Sequence, residues 1–137
     1  MVLPAAHPLA RTAGPVAVAQ LRSEVWTASA EGTGHHAMVV GTCRALGGYE
    51  PDLRHRSSDA DVQLELARAG AAVALMPVLT LPAHDPALAI RDIAETTLGR
   101  RLVVATRDNP PAPALTALLA AVTDQANKLN HAGLRPT

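Results

Sequence analysis

Apolar and polar positions along the chain follow two spacings, separated by glycine and proline. Stretches with apolar residues three or four positions apart predict helices, and short runs rich in valine, leucine and isoleucine predict strands. Helices are predicted over residues 16–22, 35–46, 58–69 and 114–129. Strands are predicted over residues 25–29, 51–57, 72–76, 88–93 and 101–106, after a short apolar start at residues 1–3. This alternation is typical of an α/β fold in which helices cover a sheet.

Two of these patterns also predict which side chains are buried. Residues 72–76 are apolar at every position, which predicts a strand in the middle of a sheet that is covered on both faces. Along residues 58–69, Val62, Leu66 and Ala69 share one helical face, so we expect that face to be buried and Leu64 to be exposed.

The composition narrows the class of protein. The chain has 137 residues, of which 48% are hydrophobic, with 12 basic and 12 acidic side chains, so we expect one folded core and no surface for a polyanion. Its single cysteine, Cys43, excludes an internal disulfide and lies on an apolar helix face, as a buried structural thiol would. No apolar run approaches the roughly 20 residues of a membrane span, and no secretion signal is recognisable, so a cytoplasmic location is expected.

Three short stretches of the chain carry a resemblance to a known family. They are His7-Pro8-Leu9-Ala10, Val18-Ala19-Gln20-Leu21 leading into Trp26, and the run from Ala69-Gly70 to Met76-Pro77. In this order they resemble the C-terminal half of the effector-binding region of LysR-type transcriptional regulators. The resemblance implies a periplasmic-binding-protein-like, Rossmann-like lobe with a mixed, mostly parallel sheet flanked by helices. It also implies a non-catalytic role, in which a small effector binds in the cleft between two lobes.

The resemblance divides the chain into three parts. Residues 1–13 would end the first crossover between lobes, residues 14–98 would form the second lobe, and residues 99–137 would be the return crossover strand and a C-terminal helix. The winged helix-turn-helix and the first lobe of the family have no counterpart in these residues. We therefore expect the sensing portion of a regulator, without direct contact to nucleic acid.

The turn before the second predicted helix is the candidate ligand site. Gly32 and Gly34 let the backbone approach a ligand, and the free amides of a first helical turn favour an anion. In the family the corresponding turn faces the cleft, which implies ligand contacts by Thr33, Gly34 and His35, with Gly32 and Ser29 beside them. The expected ligand is a small carboxylate or another anion, bound weakly because this chain holds one wall of the cleft. The alternative without a ligand is that Thr33 only caps the helix.

A second functional hypothesis uses the same turn. Residues 32–37 match the Gly-x-Gly-x-x-Gly/Ala dinucleotide pattern, which would suit a small stand-alone α/β nucleotide-binding protein or enzyme. That pattern requires an acidic residue at the end of the next strand, where this chain has Arg54, His55 and Arg56. No catalytic residue, cofactor or metal site is predicted, since the adjacent His35 and His36 point about 100° apart on a helix.

The last predicted helix indicates self-association. Its apolar stripe consists of Leu115, Leu118, Leu119 and Val122. If these side chains stayed exposed to water, the protein would forgo about 1.5–3 kcal/mol of burial free energy for each of them. We therefore predict a homodimer or domain-swapped assembly in which strand 101–106 or the last helix crosses between chains. The resemblance implies a further subunit contact on helix 58–69, at Leu64.

Overall fold

Five short strands form one mixed sheet in the computed structural model, which describes residues 1–99, 101–107 and 112–131. The strands are β1 (Val2–Pro4), β2 (Val25–Ala28), β3 (Asp52–Arg56), β4 (Val73–Ala74) and β5 (Leu88–Ile90). Their order in the sheet is β3-β2-β4-β1-β5. β2 pairs in parallel with β3 and β4, whereas β1 pairs antiparallel with β4 and β5. The sheet is thus mixed as predicted, with its parallel half confined to β3, β2 and β4.

The described residues form three α-helices: α1 (Gly34–Thr42), α2 (Ala60–Arg68) and, in a separate part of the chain, α3 (Pro113–His131). α1 continues into a wider π-helical turn at Cys43–Gly47, so it covers the predicted helix 35–46. The helix predicted over residues 16–22 is reduced to a 3₁₀ turn at Val18–Leu21. Val16 cannot start a helix there, because its amide donates to the carbonyl of Asp92 and its backbone bridges to Ile93. No helix of the described residues is long and apolar enough to cross a membrane.

The sheet is covered on both faces, which places β4 in the interior as predicted. One core cluster includes Trp26, Val39 and Cys43, all with 0% exposure, and a second lies beneath α2. Residues 72–76 are all buried. The predicted short apolar start at residues 1–3 proves to be part of this core, because β1 lies between β4 and β5 and both Val2 and Leu3 are fully buried.

The face of α2 that packs on the sheet differs from the predicted one. Leu64 is 2% exposed and belongs to the core cluster with Ala67, whereas Val62 is 45% exposed. The expectation that Leu64 is exposed and contacts another subunit is therefore wrong. Gln63 shares the buried face and donates from Nε2 to the carbonyl of Ser57 at 2.6 Å, so a polar residue takes a position that the pattern assigned to solvent.

Contacts divide the chain into two units, Met1–Thr97 and Leu98–Thr137. The second unit contains α3 and residues 101–107, which have no regular secondary structure. The strand predicted over residues 101–106 is therefore wrong for the single chain, because no described strand pairs with this segment. On α3, Leu115, Leu118 and Val122 are 38%, 59% and 43% exposed, and Leu119 is half-buried.

Candidate functional site

The C-terminal ends of β2, β3 and β4 meet at one edge of the sheet, because these three strands run parallel. Ser29 follows β2 and Ser57 follows β3, and α1 and α2 begin shortly after these two strands. In open α/β sheets, ligands bind in the crevice outside the carboxyl ends of such strands. The turn that leads into α1 therefore lies where the fold favours a ligand.

The geometry of this turn follows from its two glycines and its threonine. Gly32 adopts a positive φ of 83°, which side chains other than glycine rarely tolerate. Thr33 caps α1: its Oγ1 accepts from the amide of His36 at 3.2 Å and donates to the carbonyl of Ala30 at 2.7 Å. The capping role of Thr33 is thus realised, and its hydroxyl is already engaged within the protein.

Two backbone amides at the start of α1 stay free. The N–H groups of Gly34 and His35 have no hydrogen-bond partner among the described residues, as expected for the first turn of a helix. A Cβ atom placed on Gly34 would meet nothing within 4 Å, so the space beside this residue is open. The arrangement can present two free donors and the positive end of a helix dipole to an anion.

The side chain of His35 has a structural role that the sequence did not predict. Its Nε2 lies 2.8 Å from the carbonyl oxygen of Leu75, and its Nδ1 lies 3.0 Å from Oγ and 3.1 Å from the amide nitrogen of Ser29. A carbonyl only accepts, so these contacts assign the hydrogen to Nε2 and make Nδ1 the acceptor. Both side chains tie α1 to the ends of β2 and β4, and the ligand contacts expected at His35 and Ser29 stay predictions. The backbone amide of His35 remains available.

Arg56, which the sequence analysis did not place in the site, supplies a positive charge beside the turn. It ends β3, and its Nη1 lies 3.9 Å from Oε2 of Glu31 in the turn itself. Both side chains are largely exposed, at 49% and 78%. Its position at the carboxyl end of a predicted strand is the sequence feature from which Arg56 could have been assigned to the site.

A groove of about 550 Å³ runs beside the turn, between α1 and β3. Small or apolar residues and charged residues both line it. The residues that line it are Glu31, His36, Ala37, Val40, Gly41, Arg44, Glu50, Pro51, Leu53 and Arg56. The groove therefore shares Glu31, His36 and Arg56 with the turn and its surroundings.

The described residues offer little other chemistry. No group of three or more histidine, cysteine, aspartate or glutamate side chains in the described ranges could hold a metal ion. Cys43 is fully buried, as predicted, and burial raises its pKa to about 11. Since the thiolate is the nucleophilic form, this thiol is unreactive at neutral pH.

Comparisons with known proteins agree with this architecture. A family profile described as the LysR substrate binding domain matches residues 1–127. Among solved structures, the chain is similar to the C-terminal domain of a probable LysR family transcriptional regulator from Rhodococcus sp. RHA1, with 26% identity and a TM-score of 0.59. That match covers 69% of this chain and 46% of the other, so the chain spans about half the length of its structural relative. No curated protein matches.

These findings confirm the predicted α/β, periplasmic-binding-protein-like lobe and favour the regulator hypothesis over a stand-alone nucleotide-binding protein. The family match extends over the sheet, α1, α2 and most of α3. The chain belongs to the LysR substrate-binding domain family.

Proposed function

We propose that this chain is the effector-sensing, non-catalytic part of a LysR-type transcriptional regulator and that it binds a small carboxylate at the start of α1. The observation that carries this proposal is the pair of unpartnered amides, Gly34 and His35, at the carboxyl edge of the parallel strands. Unpaired amides at a helix start suit an anion without requiring a charged side chain.

The charges around the turn indicate a weak and selective site. Arg56 attracts an anion, whereas Glu31 repels one, and the two lie close enough to offset each other partly. A carboxylate group of the ligand could interact with the amides and Arg56 while avoiding Glu31. The ring of His35 would support this binding indirectly, since it fixes the first turn of α1 to Ser29 and Leu75.

In a complete regulator, such a site would act as a sensor. A ligand held between two lobes shifts the population toward the arrangement that it contacts on both sides. DNA would be contacted by a separate domain, because this chain carries no net charge to attract a polyanion. A cytoplasmic location remains a prediction.

The substitution Gly34→Pro tests the role of the amides. Proline removes one free N–H, yet it is favoured at the first position of a helix, and the extended backbone of Thr33 suits a residue before proline. We expect Gly34→Pro to weaken binding of succinate about tenfold, because a hydrogen bond to a charged group contributes about 1.5–3 kcal/mol. Two-dimensional NMR of the amide signals during a succinate titration measures the change.

Gly34→Ala is the matched control, because it keeps the amide and its Cβ enters open space. It should bind succinate as the unsubstituted chain does. Equal affinity of the proline and alanine variants would contradict the proposed site. ADP and NADPH are titrated in parallel, and a selective shift of the amides of residues 32–37 by either nucleotide would support the dinucleotide hypothesis instead.

Self-association through α3 forms the second part of the proposal. The exposed Leu115, Leu118 and Val122 form one stripe, and about 1.5–3 kcal/mol is gained for each such side chain that becomes fully buried. A second copy of the chain would supply a matching stripe, since a two-fold interface uses the same surface on both subunits.

The substitution Leu118→Glu should abolish this association, because it places a charge in the centre of the stripe. Light scattering over a concentration series should give twice the chain mass of 14.2 kDa for the unsubstituted protein and a single chain mass for the variant. Ala117→Glu adds the same charge at an exposed position away from the stripe and should leave the dimer intact. A monomer at every concentration for the unsubstituted chain would refute the proposal.

A further inference from the structure

The ring of His35 links the start of α1 to the ends of two neighbouring strands. Its Nε2 donates to the carbonyl of Leu75, one residue beyond β4, and its Nδ1 accepts from the amide of Ser29, one residue beyond β2. β2 and β4 are adjacent parallel strands, so both contacts lie at the same edge of the sheet. Leu75 and Ser29 are both buried, which gives the ring fixed partners.

The backbone of the same residue belongs to the proposed ligand site. The amides of Gly34 and His35 have no partner among the described residues, and the ring contacts of His35 do not involve its amide. The amide and the ring are attached to one Cα atom, so a rearrangement of the backbone at His35 moves both groups. One residue therefore faces a ligand with its main chain and the sheet with its side chain.

Among the described residues, the hydrogen bonds that join the first turn of α1 to the strand ends come from the His35 ring. The bonds made by Thr33 are local, since they connect positions within residues 30–37. Gly32 and Gly34 flank Thr33, and each glycine adds conformational entropy that is lost when the turn becomes ordered. An ordered first turn therefore depends on the contacts of the ring.

We propose that His35 couples the binding of a carboxylate at the start of α1 to the end of β4. The inference rests on the proposed ligand site and names the residue that transmits its occupancy. A carboxylate that accepts from both amides requires an ordered first turn, and the ring reaches Leu75 only from an ordered first turn. The two contacts favour the same state of the turn, so each stabilises the other.

The coupling acts in both directions. A bound carboxylate raises the fraction of molecules in which the ring is bonded to Leu75, and loss of the ring contacts lowers the fraction that is ready to bind. His35 is thus a positioning residue, because its side chain acts on the ligand through the ordering of its own backbone. Occupancy at α1 is thereby sensed on a strand that follows 40 positions later in the chain.

The carbonyl carbon signal of Leu75 tests this coupling by NMR of an isotope-labelled chain, because it responds to the hydrogen bond that the carbonyl accepts. During a succinate titration at neutral pH, this signal should follow the same binding curve as the amides of Gly34 and His35. The carbonyl of Ser57 is the matched control. It lies one residue beyond β3 and accepts from Nε2 of Gln63 on α2 at 2.6 Å, so it should not respond.

Two substitutions of His35 separate the ring contacts from the packing of the side chain. His35→Phe keeps a ring but removes its donor and acceptor, so we expect succinate to bind about fivefold more weakly and the response of Leu75 to disappear. His35→Gln keeps an N–H donor that can reach toward Leu75. It should restore both the response and an affinity close to that of the unsubstituted chain.

The possible outcomes distinguish this coupling from the ligand site. Amides of Gly34 and His35 that respond while Leu75 behaves like Ser57 would overturn the coupling and leave the ligand site standing, and this comparison needs no substitution. A full Leu75 response in His35→Phe would overturn the role of the ring. If the two amides do not respond to succinate, the ligand site itself is contradicted and the coupling falls with it.

Discussion

Replacing Leu64 by alanine is expected to lower the free energy of unfolding by about 2–5 kcal/mol. Leu64 is 2% exposed and lies in the core cluster beneath α2 with Val2, Ala74 and Met76. The loss combines the transfer of the missing methyl and methylene groups with the cavity that remains, because neighbouring strands can close only part of it. Urea unfolding followed by circular dichroism gives the change.

Val62→Ala is the matched control on the same helix. Val62 is 45% exposed, so its truncation should change the free energy of unfolding by less than about 1 kcal/mol. A larger loss for Val62 than for Leu64 would show that α2 presents its other face to the sheet, as the hydrophobic pattern alone suggested. The pair of variants therefore tests the orientation of the helix directly.

Replacing His35 by alanine is expected to cost about 2 kcal/mol and to loosen the start of α1. The carbonyl of Leu75 would lose its donor, and the amide and hydroxyl of Ser29 would lose their acceptor. Each polar group left unsatisfied in a buried site costs about 1–3 kcal/mol, and access of water to this half-buried position reduces the sum. Urea unfolding measures the stability, and the NMR signals of Ser29 and Leu75 report the local change.

His36→Ala provides the comparison for this effect. His36 is also half-buried and adjacent in sequence, but its ring has no hydrogen-bond partner among the described residues. Its removal should change the stability by less than about 0.5 kcal/mol. If both alanine variants were equally stable, the bridge between β2 and β4 through the imidazole would contribute nothing.

The parts of the fold that the sequence predicted are those in which one pattern dominates. The uniform apolar run at residues 72–76 could only be covered on both sides, and the glycines around the turn had to mark the start of α1. Each of these two features is determined by residues that are adjacent in the sequence, so a short stretch of the chain is enough to predict it. The order of the strands could not be predicted, because pairing between distant segments leaves no local signal, and the family resemblance implied only a mixed, mostly parallel sheet.

The errors have physical causes of their own. The apolar residues of α2 alternate at Val62, Leu64 and Leu66, so two different faces of the helix look apolar. The polar Gln63 is buried beside Leu64, which made the face that packs on the sheet look exposed in the sequence. Residues 101–106 have the composition of a strand, but a strand also needs a neighbour. The role of His35 depends on a carbonyl 40 positions away, which no spacing rule could indicate.

Trp26 makes the core observable by fluorescence. It is the chain's one tryptophan, it is fully buried on β2, and its indole donates to the carbonyl of Leu21. With one tyrosine and no phenylalanine elsewhere, emission excited at the indole band comes from this single environment. A blue emission maximum that resists quenching by acrylamide therefore reports an intact interior, independently of what occupies the surface.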